Sequence, residues 1–137
     1  MEDLKLKKSW EKGLFKDHAR VEQLKYLSYS EDKLITELAS GNYGEHYMIW
    51  LAIKLKGTPN MIEPLFEVVK SFNSRNDFLK RFHSTDALFH LLELEDQNLE
   101  NKITGNIMLF DKLVFSKAIE KLGKIITKRR LTINNEK

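Results

Sequence analysis

Apolar residues recur at helical rather than strand spacing along most of the chain. In "SEDKLITELASG" the apolar positions Leu34, Ile35 and Leu38 fall on one face of a helix with 3.6 residues per turn. Ser30 is a typical N-cap for this helix, and Gly41 is a typical residue at its end. No segment shows sustained strand alternation bounded by hairpin turns. The pattern therefore predicts an all-α fold.

The same spacing predicts further helices on both sides of this one. Thr58 and Pro59 suit the cap and the first position of a helix, while Pro64, about one turn later, predicts a kink or a later start. Gly123 is a weak point inside the last helix. The predicted helices lie within 1–13, 15–28, 42–57, 58–72, 77–96, 96–105 and 106–130.

Composition is that of an ordinary globular domain, with 137 residues of which 42% are hydrophobic and 31% charged. We expect a single domain over 1–130 and a flexible tail over 131–137. The absence of cysteine excludes disulfides, thiolate zinc sites and cysteine nucleophiles. The N-terminus "MEDLKLKKSW" is charged, and the longest strictly apolar run, "MIWLAI", is far too short to span a bilayer. We therefore expect a cytoplasmic protein with no membrane partner.

Three small residues suggest an internal repeat. Ala52, Ala87 and Ala118 stand in "WLAIKL", "TDALFHLL" and "SKAIEKLG", 35 and then 31 residues apart. A small side chain at this point of a helix allows a neighbouring helix to approach closely. The spacing predicts one helical hairpin used several times.

The stretch "MIEPLFEVVKSFNSRNDFLKRFHSTDALFHLLEL", 61–94, combines an apolar first helix, a polar break and an Ala-Leu core in the second helix. In this it resembles HEAT-like helical repeat proteins, and 32–57 and 97–126 follow the pattern more loosely, so that about two thirds of the chain is covered. The resemblance implies antiparallel helical hairpins stacked as a short right-handed α-solenoid. An irregular helical bundle is the alternative.

The stretch "RFHSTDALFH" places His83, Asp86 and His90 within about 60° of one another on a helix. The two histidines are about 10 Å apart along the axis, too far for both rings to bind one ion comfortably. We interpret these residues as a polar surface that contributes to partner binding. The alternative is half of a metal or acid–base site, completed by His46 or His18.

Aromatic residues form a second candidate, since Tyr43, Tyr47 and Trp50 recur at helical spacing in the helix that ends at Gly57. We interpret them as core residues that pack against the opening pair of helices. The alternative is an exposed anchor for a partner, because Trp and Tyr are enriched at binding hot spots.

Charge is distributed unevenly along the chain. Residues 31–100 carry seven basic and twelve acidic residues, whereas 112–137 carry eight basic and two acidic residues. The last helix can present a solvated basic face, bind nucleic acid or another anion, or dock against the acidic residues Glu93, Glu95 and Asp96. The basic candidates are Lys117, Lys121, Lys124, Lys128, Arg129 and Arg130.

Sequence motifs for catalysis or phosphate binding are absent, including GK[ST], G-x-G-x-x-G and G-x-S-x-G. We therefore expect a non-enzymatic protein-interaction module without a cofactor: an adaptor, a regulator, or an inhibitor of the immunity type. A nucleic-acid-binding protein that uses the basic C-terminal helix is the first alternative. A metal-dependent enzyme that uses the His/Asp face is the second.

Overall fold

The computed structural model describes the backbone of residues 15–106 and 108–136, so the helix predicted over 1–13 lies outside the described residues. The described residues form helices and no strand, which confirms the all-α prediction. A 3-10 turn precedes both the fourth and the fifth α-helix. The α-helices are α1 (Phe15–Leu27), α2 (Glu31–Ser40), α3 (Met48–Lys56), α4 (Ile62–Ser71), α5 (Phe78–Leu92), α6 (Gln97–Thr104) and α7 (Lys112–Glu136).

The ends of α2 and the start of α4 follow the predicted local signals. The Ser30 hydroxyl accepts a hydrogen bond from the third residue of α2, and Gly41 closes that helix in the left-handed conformation, φ 74°. Thr58 caps the 3-10 turn that begins at Pro59. Since α4 starts only at Ile62, the helix starts later rather than kinking at the following proline.

The start of α3 departs from the prediction, because the helix begins at Met48 instead of near the preceding glycine turn. Tyr47 adopts a left-handed backbone conformation, φ 61°, which interrupts the helix. The Glu22 carboxylate, on α1, satisfies the N–H groups left without helical partners at this end. It accepts hydrogen bonds from the backbone of Glu45 (2.7 Å), His46 (2.8 Å) and Met48 (3.3 Å).

The helices pack in two rows. One row runs from α1 to α3, then to α5 and α6, while α2 packs on α4. The rows are joined by α4 against α5, and α7 packs on α6. Ala52, Ala87 and Ala118 are all buried, as a close helix approach requires. They share the core with larger side chains that include Leu34, Ile49, Ile53, Leu65, Leu88, Leu92, Ile103 and Leu122.

The last helix begins and ends later than the sequence predicts. Asp111 caps its first turn by accepting hydrogen bonds from the backbone of Leu113 (2.9 Å) and Val114 (3.2 Å). The helix runs to Glu136, so the backbone over 131–136 is helical where a flexible tail is predicted. Within the described ranges, no helix has the length and apolarity needed to cross a membrane.

Arg81 is the buried residue that ties several segments together. Its guanidinium donates hydrogen bonds to the backbone carbonyls of Phe72 (3.0 Å), Ser74 (2.6 Å) and Thr104 (2.9 Å). It also lies over the ring of Phe110, 4.0 Å from the centroid. One side chain of α5 thereby fixes the end of α4, the end of α6 and the loop before α7.

Candidate functional site

The outward side of α5 combines apolar and polar side chains. On a helical wheel, Leu79, Phe82, His83, Asp86 and His90 occupy an arc of about 100°, and we call these five residues the α5 face. Its two apolar members are substantially exposed, at 46% for Leu79 and 44% for Phe82. Most of the rest of the helix is packed, apart from the exposed Lys80, with Arg81, Ser84, Thr85, Ala87, Leu88, Phe89 and Leu92 buried. The α5 face is therefore the side of this helix that solvent reaches.

An aromatic cluster lies at the N-terminal end of the α5 face. The Tyr47 ring stacks on the His83 imidazole with centroids 4.6 Å apart and planes inclined by 22°. The Phe82 ring meets the same imidazole edge to face, at 5.4 Å. Tyr47 reaches this position because Glu22 holds the turn before α3 in place. The cluster thus depends on a contact between α1 and the α3 entry.

Half-burial changes the protonation of His83. Burial lowers the pKa of the imidazole, and Lys54 acts in the same direction, while Asp86 opposes them. The lowered pKa favours the neutral ring at pH 7. A neutral ring between Tyr47 and Phe82 behaves as a packed, polar aromatic side chain rather than as a surface cation.

An ion pair lies beside the aromatic cluster. Lys54 Nζ on α3 donates to Asp86 Oδ2 at 2.8 Å, and both side chains remain partly exposed. Glu100 on α6 feels the same charges: burial and then Asp86 raise the pKa of its carboxyl, while Lys54 lowers it. Three helices therefore bring charged groups to one place.

A cavity of about 390 Å³ opens next to this ion pair. Its lining includes the carboxylates of Asp86, Glu93, Glu95 and Glu100 together with His90. The negative carboxylates outnumber the single adjacent lysine of the ion pair, so this end of the α5 face carries a negative potential. A positively charged group is the chemistry that such a surface attracts.

Two members of the aromatic candidate set turn inward. Trp50 is 2% exposed, and its ring lies 5.2 Å from that of Tyr43 and 6.3 Å from that of Phe72, measured between centroids. Tyr43 is half-buried in the same cluster, and burial raises the pKa of its phenol. The hypothesis of an exposed Trp50 anchor is therefore wrong, because the indole is enclosed. Of the three aromatics, only Tyr47 borders the α5 face.

Outside their own cluster, these aromatics make their described ring contacts with later segments. Tyr43 and Trp50 contact Phe72, after α4, and Tyr47 contacts His83 on α5. Packing of the aromatics against the opening helical pair stays a prediction, since the first helix of that pair lies outside the described residues, while its second helix, α1, does pack on α3.

Two of the three candidate metal residues are held by other contacts. His83 is stacked between aromatic rings, Asp86 is bonded to Lys54, and His90 is exposed. Among the residues that the structure describes, no group of three His, Asp or Glu side chains is arranged to hold a metal ion. The three residues instead share a surface, as their spacing predicts.

The basic candidates lie along the outer side of α7. Lys117, Lys121, Lys124 and Lys128 are exposed, and Lys124 Nζ is 3.6 Å from a carboxylate oxygen of Glu120 on the same helix. Arg129 is half-buried and lines a cavity of about 630 Å³ together with His90 and Glu93. The Arg130 side chain lies outside the described residues. Docking of the basic helix against Glu93, Glu95 and Asp96 stays a prediction.

Sequence reasoning missed three residues that shape this region. Glu22 and Arg81 hold backbone groups from distant segments, and no local pattern marks either contact. No prediction names Leu79, although its position on the helical wheel, between Phe82 and His83, indicates that it lies on the same side of α5. The exposed apolar part of the surface therefore emerges only from the packing.

Comparison of this chain with protein-family models, with curated protein sequences and with solved structures gave no match in any of the three.

Proposed function

We propose that this chain is a non-enzymatic protein-interaction module: an adaptor, a regulator, or an inhibitor of the immunity type. Its binding surface is the α5 face with the adjoining parts of α3 and α6. The observation that carries the proposal is the pair of exposed apolar side chains, Leu79 and Phe82, beside a polar, charged border. Apolar anchors surrounded by polar groups are typical of the energetic centre of a protein interface.

The aromatic side chains of this surface are held in place by one another. Phe82 packs on the His83 ring and on the Phe78 ring, with centroids 5.4 Å and 6.1 Å apart. Tyr47 supports His83 from the other side. A partner that covers these rings loses little side-chain entropy in the process, because the rings are already held.

The negative end of the surface indicates the kind of partner. Asp86, Glu93, Glu95 and Glu100 line one cavity, and Lys54 forms an ion pair with Asp86. A partner with a basic rim around an apolar patch complements this arrangement. Opposite charge increases the association rate more than the final affinity.

The finer architecture, HEAT-like hairpins stacked as a right-handed α-solenoid, is part of the proposal. In its support, α2 packs on α4 and α3 on α5, which is the relation between successive hairpins of a stack. Burial of Ala52, Ala87 and Ala118 also agrees with a repeated close approach. In such a stack, α5 is an inner helix with one side open to a partner.

The test is an affinity capture from native lysate, quantified by mass spectrometry and run with and without nuclease. Wild type is compared with Phe82→Asp and Leu79→Asp, and with Val21→Asp as a control at an exposed apolar site on α1. We expect a stoichiometric protein, insensitive to nuclease, that wild type and the control recover and the α5 variants lose. Thermal melts identify any variant that is lost through unfolding. Recovery of no stoichiometric protein, or equal recovery by all four proteins, contradicts the proposal.

A further inference from the structure

The outer side of α7 changes from apolar to basic along one continuous face. With Leu113 set at zero on a helical wheel, Val114 lies at about 100° and four lysines lie between about 20° and 80°. All six side chains are exposed, while Phe115, Ala118, Leu122 and Ile126 on the opposite side are buried. We call these exposed residues the α7 face: Leu113, Val114, Lys117, Lys121, Lys124 and Lys128.

The loop before α7 adds two more exposed aliphatic side chains, Met108 and Leu109. Asn106 Oδ1 accepts hydrogen bonds from the backbone N–H of both residues at 2.7 Å, which fixes this turn. Phe110 points the other way and packs under Arg81. The loop thus keeps its aromatic residue inside and holds its aliphatic residues outside.

Exposed apolar side chains are concentrated at this end of the molecule. Four of the nine large exposed apolar side chains in the described part of the chain lie within 108–114, and Leu109 and Leu113 are the most exposed of them, at 74% and 73%. We call these four residues the apolar tip: Met108, Leu109, Leu113 and Val114. Burying them in an apolar environment is a substantial driving force that folding leaves unused.

Charge on the α7 face is strongly positive. Glu120 lies at the edge of the face, and its carboxylate is 3.6 Å from Lys124 Nζ. Over 112–137 the chain carries eight basic residues against two acidic ones. The occupant of this surface must therefore supply negative charge beside an apolar region.

We propose that the apolar tip and the α7 face dock on a membrane surface that contains anionic lipids. The tip enters the boundary between headgroups and acyl chains, and the lysines lie against the anionic headgroups along α7. This is attachment to one leaflet and involves no membrane-spanning helix. It replaces the expectation of no membrane partner, which rests on the shortness of the longest apolar run and concerns spanning segments. It uses a different helix from the proposed protein-binding surface, so either proposal stands without the other.

Other occupants fit this surface less well. Phosphate contacts with the lysines suffice for duplex binding, and single strands also stack on aromatic side chains, but neither mode uses the four exposed aliphatic side chains of the tip. A second copy of the chain that docks α7 face against α7 face would bring two basic surfaces together, and like charges repel. Acyl chains with anionic headgroups match both halves of the surface.

The test is sedimentation of the protein with vesicles at low and high salt. We expect partition onto an equal mixture of phosphatidylcholine and phosphatidylserine, loss of that partition at high salt, and little binding to pure phosphatidylcholine. Joint replacement Leu109→Ser and Leu113→Ser should lower the partition coefficient at least about tenfold. Each of Lys117→Gln and Lys121→Gln should lower it about fivefold. Val21→Ser and Lys80→Gln, at exposed sites on other helices, are the matched controls and should change nothing.

Several results overturn this proposal. The first is that the protein does not sediment with vesicles containing phosphatidylserine at low salt. The second is that it binds pure phosphatidylcholine vesicles as well as it binds those containing phosphatidylserine. Binding of duplex DNA that depends on the same lysines, without vesicle binding, assigns the surface to nucleic acid. A dimer in light scattering that the Leu109→Ser, Leu113→Ser protein lacks assigns the tip to self-association. Circular dichroism confirms that each variant stays folded.

Discussion

Replacement of Arg81 by methionine removes the buried cation that holds three backbone carbonyls in two segments. The guanidinium donates to the carbonyls of Phe72, Ser74 and Thr104 over distances of 2.6–3.0 Å. A hydrogen bond with a charged donor contributes about 1.5–3 kcal/mol, so the three together set an upper range of about 4–9 kcal/mol. This gross value is comparable to the whole free energy of unfolding of a small domain.

The net loss is smaller, because the guanidinium is costly to bury. Arg81 is fully buried, and this desolvation of its charged form lowers the pKa of the guanidinium, with Asp77 opposing. Methionine avoids that desolvation and keeps an unbranched apolar stem against the Phe110 ring. The carbonyls of Phe72 and Thr104 lose this donor and are buried without it. We expect the free energy of unfolding to fall by about 3 kcal/mol.

Urea unfolding followed by circular dichroism measures this loss. Arg81→Met should shift the midpoint downward without changing the m-value, since the folded state exposes no new surface. Lys80→Met, at the exposed neighbouring position, is the matched control and should stay within about 0.5 kcal/mol of wild type. A loss below about 1 kcal/mol for Arg81→Met would refute the reasoning, because the three carbonyl bonds would then contribute nothing beyond the desolvation cost.

Three further predictions concern the core and the entry to α3. Gly44 and Gly41 share a φ of 74°, but a Cβ at Gly44 would lie 2.7 Å from Glu22 Oε1, whereas Gly41 has open space. In urea unfolding, the free energy of unfolding should fall by about 1 kcal/mol for Gly41→Ala and by at least about 2 kcal/mol for Gly44→Ala. Equal losses would contradict the contact with Glu22. Burial, followed by the charge of Glu22, raises the pKa of Tyr26 to about 12, so its contribution to stability is complete below about pH 10 and is lost as the pH rises through 12. Unfolding measured on wild type and Tyr26→Phe should show that wild type loses stability relative to the variant over that window, and a constant difference would count against the shift. Ala87→Leu overfills a fully buried position, and thermal unfolding should show a cost of about 1–3 kcal/mol, with an unchanged midpoint as the opposing outcome.

Local sequence signals predict a helix boundary where the residues that cap the helix lie within one turn of it. Ser30 caps α2 through its own third residue, and Gly41 ends that helix through its own backbone conformation. Thr58 and Pro59 act in the same local way before α4. These boundaries could be predicted because each has a capping residue within its own turn, although Glu31 on α2 also accepts hydrogen bonds from the Thr58 backbone N–H (2.9 Å) and hydroxyl (2.6 Å).

Contacts between distant segments explain two features that the sequence pattern does not predict, the start of α3 and the burial of Arg81. The helical pattern runs continuously through Tyr47, yet α3 starts after it, because Glu22 on another helix captures the N–H groups at that point. Arg81 is charged and lies buried, because its partners are three backbone carbonyls from two other segments, the loop after α4 and the end of α6. The sequence of one helix does not indicate which residues of other segments will bond to it.

Only the polar part of the candidate surface could be predicted, because its spacing is local whereas the exposure of its apolar side chains depends on neighbouring helices. The spacing of His83, Asp86 and His90 is a local property, and the three do share one side of α5. Phe82 is apolar, which by itself favours an inward position, but it is 44% exposed, because the core of α5 is centred on the opposite arc. Which part of an amphipathic helix stays uncovered depends on its neighbours, and that depends on the whole fold.

The most direct test of the proposed protein-binding role is the affinity between this chain and the purified partner that the capture identifies, measured by calorimetry. Phe82→Asp should raise the Kd at least about thirtyfold, the effect of losing a hot-spot side chain, while Val21→Asp should leave it unchanged. Equal affinities for wild type and a folded Phe82→Asp protein would show that the α5 face is not where the partner binds.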